Sequence, residues 1–351
     1  MLKYLIFIMC LLFMLPFNCL AVSSGTYTVI EAGGGNYTSV VSAEAGLQGV
    51  LTSTVNIVIQ STWTNAEGIC VFSGWTTFST APVIVQATNN ARHTGVWTAT
   101  AHRFQANTSG GSLINIGTCD HIYLDGLQVY NQNVAGAGTS QAVKNSSTVV
   151  GRYRIISNCI IRSNMTGDGV IGIYYGDDTG RNIWGIYNNI VYQCDIGIYL
   201  YSLTNNDTYY LYNNTVSSCG TGISLSSGWL QAGAALYMKN NLMQFCATNF
   251  NTDWSGTGMF STATNITSDN TSFNTEYRNQ ISSFTDRNGF NFHLLATDTT
   301  AYAKGSNLSS DAIQPFTTDI DGQIRPTNWS IGADDIPAVS ARKKRCIAII
   351  Q

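Results

Sequence analysis

Short apolar runs recur along this 351-residue chain, separated by Gly, Asn, Ser and Thr. Gly197-Ile198-Tyr199-Leu200 and Gly222-Ile223-Ser224-Leu225 alternate apolar and polar positions, the period of a strand with one buried face. Earlier runs at 55–59, 83–86, 113–116 and 122–124 predict strands of the same kind, in a less regular setting. The Leu, Glu, Lys and Ala periodicity that long helices need is missing.

The strands belong to a repeat. Ile186-Tyr187-Asn188-Asn189-Ile190-Val191 matches Leu211-Tyr212-Asn213-Asn214-Thr215-Val216 and Met238-Lys239-Asn240-Asn241-Leu242-Met243. Each block is followed at one offset by a cysteine, and Cys194, Cys219 and Cys246 stand 25 and then 27 residues apart. Ile156-Ser157-Asn158-Cys159-Ile160-Ile161 is a fainter copy before them, and Leu124-Asp125-Gly126-Leu127 lies about one turn earlier. Repeats of this length are the mark of a solenoid. A leucine-rich repeat would carry a denser Leu pattern, so the expectation is an all-β, right-handed parallel β-helix with coils of about 25–30 residues. Asn adopts the left-handed conformation at tight corners. Asn188, Asn213 and Asn240 are therefore expected to form a ladder at a bend, and the three cysteines to stack inside the coil as small inert groups.

The first residues predict a destination. Lys3 precedes an apolar run over 5–15, Pro16 ends it, and Cys19-Leu20-Ala21 offers small residues before a cut at Val22. This pattern reads as a secretory signal peptide, too short for a membrane span. Phe17 and Asn18 are bulky for a lipid-attachment site at Cys19, so plain secretion is preferred to an anchor. The expected divisions are a signal peptide at 1–21, an N-terminal cap and first coils at 22–110, regular coils at 111–255, irregular C-terminal coils and a cap at 256–337, and a basic and apolar tail at 338–351.

Only 11% of the residues are charged, the net charge is −3, and the one basic cluster is Arg342-Lys343-Lys344-Arg345 in the tail. That balance gives no electrostatic case for nucleic acid. Seven cysteines follow the leader, an odd number without a CxxC pair, and the four histidines are scattered, so neither a disulfide framework nor a metal site is expected.

Three places carry a family resemblance. Thr26-Tyr27-Thr28-Val29 with Gly33-Gly34-Gly35-Asn36-Tyr37-Thr38-Ser39-Val40 is similar to an opening strand and capping helix, and the Asn-Asn repeats fill the middle. Asp321-Gly322-Gln323-Ile324-Arg325-Pro326 and Ile331-Gly332-Ala333-Asp334 look like a closing D-G-x-x-R-P … I-G-A-x-E signature, with Asp334 or Asp335 where Glu is usual. Together they make the chain resemble the secreted right-handed parallel β-helix repeat proteins of the pectin-lyase-like fold. That resemblance specifies architecture and leaves activity open, because the fold hosts lyases, hydrolases, epimerases, adhesins and inert surface proteins.

The group's enzymes mostly act on acidic polysaccharides. Hydrolysis needs a pair of carboxyl groups, and β-elimination a base plus a counter-ion for the uronate, often Ca²⁺ held by Asp. The candidates are Asp168, Asp177, Asp178 and Asp195 with Arg181; no motif selects a base among Arg152, Arg154, Arg162 and Arg181. Gly176-Asp177-Asp178 and Asn251-Thr252-Asp253 occur in reverse of the polygalacturonase-like order. Aligning Gly172, Gly197 and Gly222 puts Tyr174, Tyr199 and Ser224 in one outward column and Gly176, Tyr201 and Ser226 in the next. Such tyrosines suit sugar stacking, with Asp207 and Trp229 as a wall. Against this, Asp beside Gly is ordinary turn chemistry, and Tyr is favoured on strands without any function. Ten Asn-x-Ser/Thr sequons are what a chain rich in these residues produces by composition.

The preferred expectation is a secreted β-helix that binds polysaccharide on its lateral face and needs no cofactor. The alternatives are a lyase or glycoside hydrolase, with Ca²⁺ if a lyase, and a structural or adhesive surface module.

Overall fold

The structure, a computed structural model, describes residues 21–336 except 23, 118, 134–137, 148–150, 165–168, 178–180, 202–205, 227–229, 231 and 252–256, and gives no side chains for 21, 22, 146, 147 and 177. Residues 1–20 of the expected signal peptide over 1–21, the expected tail and the candidates Asp168, Asp178 and Trp229 therefore lie outside the described residues.

The chain winds as a parallel β-helix. Each regular coil contributes one strand to each of three sheets. In the coil from His121 these are His121–Asp125 in the first sheet, Gln128–Asn131 in the second and Ser140–Ser147 in the third. The next coil repeats them at Tyr153–Ser157, Ile160–Arg162 and Val170–Asp177. Among the described residues the sheets hold nine, seven and seven strands, each paired in parallel with its counterpart one coil away. Inward residues such as Ile156, Val191, Ile198 and Ile223 are fully buried and form one core along the axis.

Two columns of asparagine turn the corner between the first and second sheets, and each does a different job. Asn158, Asn188, Asn213 and Asn240 adopt φ between 52° and 59°, the left-handed region that Asn tolerates. The continuous ladder runs through the residue after each of the last three. Asn189, Asn214 and Asn241 donate from Nδ2 to the Oδ1 of Asn214, Asn241 and Asn265 at 3.0, 2.9 and 2.8 Å. Each Nδ2 also donates to a main-chain carbonyl of the coil before it, as Asn214 does to Ile186 at 2.8 Å. The expected ladder at Asn188, Asn213 and Asn240 is present in part, with Asn188 Nδ2 donating to Asn158 Oδ1 at 3.2 Å and Asn240 Nδ2 to Asn213 Oδ1 at 3.0 Å, while the continuous ladder lies one residue on. The first asparagine takes the strained backbone while the second turns inward, where its amide must be satisfied.

Glycines set the approach of the third-sheet strands. A Cβ at Gly172, Gly197 or Gly222 would meet the carbonyl oxygen of the residue one coil on at 2.5, 2.6 or 2.4 Å. Beside them Cys194 and Cys219 are buried free thiols, and desolvation raises the Cys219 pKa, so this stack is packing rather than chemistry.

The helix Val40–Leu47 covers the N-terminal end of the core with Val40, Ala43 and Leu47. Ser39 caps it, and the Glu67 carboxylate accepts from Val40 N and Val41 N at 2.8 and 3.1 Å. At the other end Phe273 packs on Phe250 and Phe260, with ring centroids 4.8 and 4.4 Å away. The irregular C-terminal part then turns back along the outside of the coils. Phe284–Asp286 and Asn291–Leu294 form an antiparallel pair, and the strap after them runs over the Asn corner. Phe292, Leu294, Ile320 and Ile331 bury the outward side chains Ile160, Ile190, Tyr192 and Leu242 of the second sheet.

The left-handed asparagines hold this strap. Asn188 Nδ2 donates to Thr318 O at 2.7 Å, Asn213 Nδ2 to Ser330 O at 3.1 Å and Asn240 Nδ2 to Ser306 O at 2.8 Å. Arg325, fully buried, donates to Asn188 Oδ1, Gly332 O, Ala333 O and Asp335 Oδ2 at 2.8–3.2 Å. The closing signature is therefore a fastening. Its Arg joins the strap at Thr318 and at 332–335 to the Asn188 corner, and Gly332 at φ 104° admits Thr215 Oγ1 where a side chain would stand.

Candidate functional site

The third sheet keeps its outer face. Pairing Lys144 with Tyr174, Tyr174 with Tyr199 and Tyr199 with Ser224 makes one outward column, as expected from the glycine alignment. Asn115 extends it at one end and Asn251 at the other. Tyr201 N donates to Tyr175 O, which sets Tyr201 in the adjacent column beside Gly176. A Cβ on Gly176 would collide with the Tyr174 ring, so that glycine lets the ring lie along its strand.

The three rings touch one another. Tyr174 lies 5.9 Å from Tyr199 and 6.3 Å from Tyr201, and Tyr199 lies 6.0 Å from Tyr201, within the range of favourable aromatic pairs. Tyr201 is 47% exposed, while Tyr174 and Tyr199 are half-buried. Desolvation by its neighbours raises the Tyr174 pKa, so all its hydrogen-bonding at ordinary pH is that of a neutral phenol. Strands recur roughly every 4.8 Å along the axis, close to the length that one sugar residue adds to an extended chain.

The acidic candidates are less united. The Asp177 side chain, like Asp168 and Asp178, is outside the described residues. Asp195 Oδ2 accepts from Gly169 N at 2.5 Å, bracing the neighbouring coil. Arg181 is exposed, at φ 64°. Asp207, expected in a groove wall, is instead fully buried, and its Oδ1 accepts from Asn182 N at 2.8 Å. Because Asn182 Oδ1 in turn accepts from Arg152 N, these residues brace successive coils rather than meet a ligand.

The other arginines are also engaged. Arg152 Nε lies 2.8 Å from Asp120, and Arg154, buried, donates to Asn145 and to Gly117 O. Burial pushes the Arg154 pKa down to about 10, which still leaves it cationic at neutral pH. Arg162 lies over the Tyr130 ring at 4.2 Å.

Two assemblies were not read from the sequence. On the first sheet, Tyr123 and Tyr153 meet edge to face at 5.6 Å in a cleft of about 400 Å³, whose far wall is Ile313-Gln314-Pro315 of the strap. Tyr153 Oη donates to Gln314 Oε1 at 3.1 Å, and Asp125 in the floor is tied to Arg92 at 2.7 Å. Aligning Leu124 with Ile156 pairs Tyr123 with Ile155 and Tyr153 with His121, which puts both tyrosines on one face as diagonal neighbours, but only the folded strap makes the wall. The second assembly gathers residues that could hold a metal. His293, Asp321 and Asp334 bring ligand atoms within 4.8 Å of one another, although the histidines are scattered in sequence. Burial pushes Asp319 beside them up to about 6 and Asp334 up to about 7.

No protein-family model matches the chain, and no curated protein matches it. Among solved structures it is similar to the crystal structure of pectate lyase Pel9A, at 10% identity and TM-score 0.37, over 90% of this chain and 97% of that one. A likeness this loose carries no functional weight, and the parallel β-helix stands on the coil geometry itself.

Proposed function

We propose that the protein is a carbohydrate-binding β-helix that holds an extended polysaccharide along the outer face of its third sheet. The observation that carries this reading is the cluster of Tyr174, Tyr199 and Tyr201, left partly exposed on adjacent coils while the strap covers the second sheet. Apolar ring faces receive sugar C–H groups, and phenol hydroxyls bond to sugar hydroxyls. Lys144 and Asn115 continue the column with groups suited to carboxylates and hydroxyls. The signal-peptide pattern of residues 1–21 agrees with an extracellular setting, where such polymers are met.

The test is retention of the mature chain on a panel of acidic and neutral polysaccharides, with unsaturated product and reducing ends followed in calcium and in chelator. Retention without product is the expected result. Turnover lost on Asp177→Ala or Asp178→Ala would make the protein an enzyme instead, and silence on every polymer would make it a structural module.

A further inference from the structure

We propose that His293, Asp321 and Asp334, with the buried Asp319 near them, form a binding site for one divalent transition-metal ion of the Zn²⁺ or Mn²⁺ type, which clamps the C-terminal strap to the coils. His293 Nε2 lies 2.9 and 3.1 Å from the two oxygens of Asp321. Two ligands each about 2.1 Å from a common ion stand roughly 3.0 Å apart at octahedral angles and roughly 3.4 Å apart at tetrahedral ones, so the pair is near the separation of neighbouring ligands. His293 Nδ1 lies 2.6 Å from Asn291 Oδ1, a partner that holds the imidazole with Nε2 turned to the carboxylates. Asp334 Oδ2 accepts from Leu294 N at 2.7 Å, which fixes that carboxylate beside the histidine.

Asp319 supplies the independent sign of a missing partner. It is fully buried, and its Oδ1 accepts from Asp321 N and Gln323 N at 3.0 and 2.9 Å. Its Oδ2 is buried and reached by no hydrogen-bond donor of the described residues. Leaving a buried carboxylate oxygen bare is costly, and a cation is one of the few partners that removes the cost. Its charge is felt by both His293 and Asp334, so the four groups share one electrostatic neighbourhood.

Asp335 is matched by Arg325 at 3.2 Å, and with His293 neutral as a ligand the carboxylates of Asp319, Asp321 and Asp334 are the negative charge that a doubly charged ion would offset in part. A nitrogen donor among oxygens favours a first-row transition ion over Ca²⁺ or Mg²⁺, which prefer all-oxygen shells. The site joins three distant stretches. His293 lies in the antiparallel pair, the aspartates lie in the strap, and a Cβ on Gly95 in the early coils would strike both Asp321 Oδ1 and His293 Nε2.

The experiment is calorimetric titration of the chelator-treated full mature chain with Zn²⁺ alone, then with Mn²⁺ and Ca²⁺, with the unfolding temperature read at each end point. One Zn²⁺ or Mn²⁺ bound per chain with a raised unfolding temperature is expected, weakened at least tenfold in His293→Ala and in Asp334→Asn. Because either variant could also loosen the strap, the wild-type Co²⁺ complex is examined for the absorption of a nitrogen-ligated ion. Binding of Ca²⁺ in preference, or no binding by the wild-type chain at millimolar metal, would overturn the site.

Discussion

The second and third sheets are built on the same coils and meet opposite fates on their outer faces. In the second sheet, strands such as Ile190–Tyr192 are buried on both sides, inward by the core and outward by the returning strap. In the third, Tyr174, Tyr199 and Tyr201 stay partly in solvent. The difference is written in the side chains. Ile160-Ile161, Ile190-Val191 and Leu242-Met243 are unbroken apolar pairs, the pattern of strands covered on both faces, whereas Gly-Ile-Tyr-Leu at 197–200 alternates. A covered face and an open face thus come from one repeat, and only the open face is free to meet a large ligand.

The largest effect is expected where the cover is fastened. Arg325→Ala leaves Asp335 and several carbonyls without their buried donor, which should cost about 4 kcal/mol of stability in a urea titration. The open face of the third sheet should be far less affected. If the variant unfolds like wild type, the strap is not held in the way described.

Acid should loosen the same side. His93 Nδ1 accepts from Gly95 N at 3.1 Å and its Nε2 donates to Asn158 O at 2.8 Å, so the neutral ring is the one that fits. Burial, then the Arg92 charge, pushes its pKa down to about 4. An unfolded chain takes up that proton near pH 6.5 and the folded chain only near pH 4, so stability falls as the pH drops through this window. The loss amounts to about 3 kcal/mol. Unfolding curves at pH 7 and pH 4.5 should differ by less in His93→Gln; an unchanged difference would place the acid sensitivity elsewhere.

The ladder beneath both faces comes next. Asn214→Ala leaves Asn189 N, Ile186 O and Asn241 Oδ1 each short of a partner, at a cost of about 2 kcal/mol. Asn188→Ala, at the left-handed position, should chiefly weaken the strap, which limited proteolysis of 300–336 would detect. Smallest of all is Tyr201→Ala. The ring is 47% exposed, so the change in stability should stay within about 0.5 kcal/mol while retention on the glycan falls.

The architecture was legible because it repeats. The period of the Asn-Asn blocks gave the coil, and aligned glycines gave the outward tyrosines in register. The left-handed column at Asn188, Asn213 and Asn240 was legible with part of its ladder, but the continuous ladder one residue on was not, because the sequence shows which residues recur without showing which of two neighbours turns inward. Asp207 was misjudged because an Asp beside Asn reads as a surface turn, and its burial depends on Asn182 one coil away. The first-sheet cleft and the His293 group depend on a strap whose contacts cross more than a hundred residues, where no local pattern reaches. The apolar pairs of the second sheet did carry a local signal of that cover.

The most direct test of the open face compares Tyr199→Ala with Tyr123→Ala by affinity electrophoresis in gels cast with the polysaccharide that retards the wild-type chain best. Tyr123 is a fair control, an aromatic residue of a neighbouring sheet with its own cleft. The account predicts that Tyr199→Ala migrates several-fold less retarded while Tyr123→Ala runs with wild type. Retardation lost in Tyr123→Ala and kept in Tyr199→Ala would contradict it and move the binding face to the first sheet.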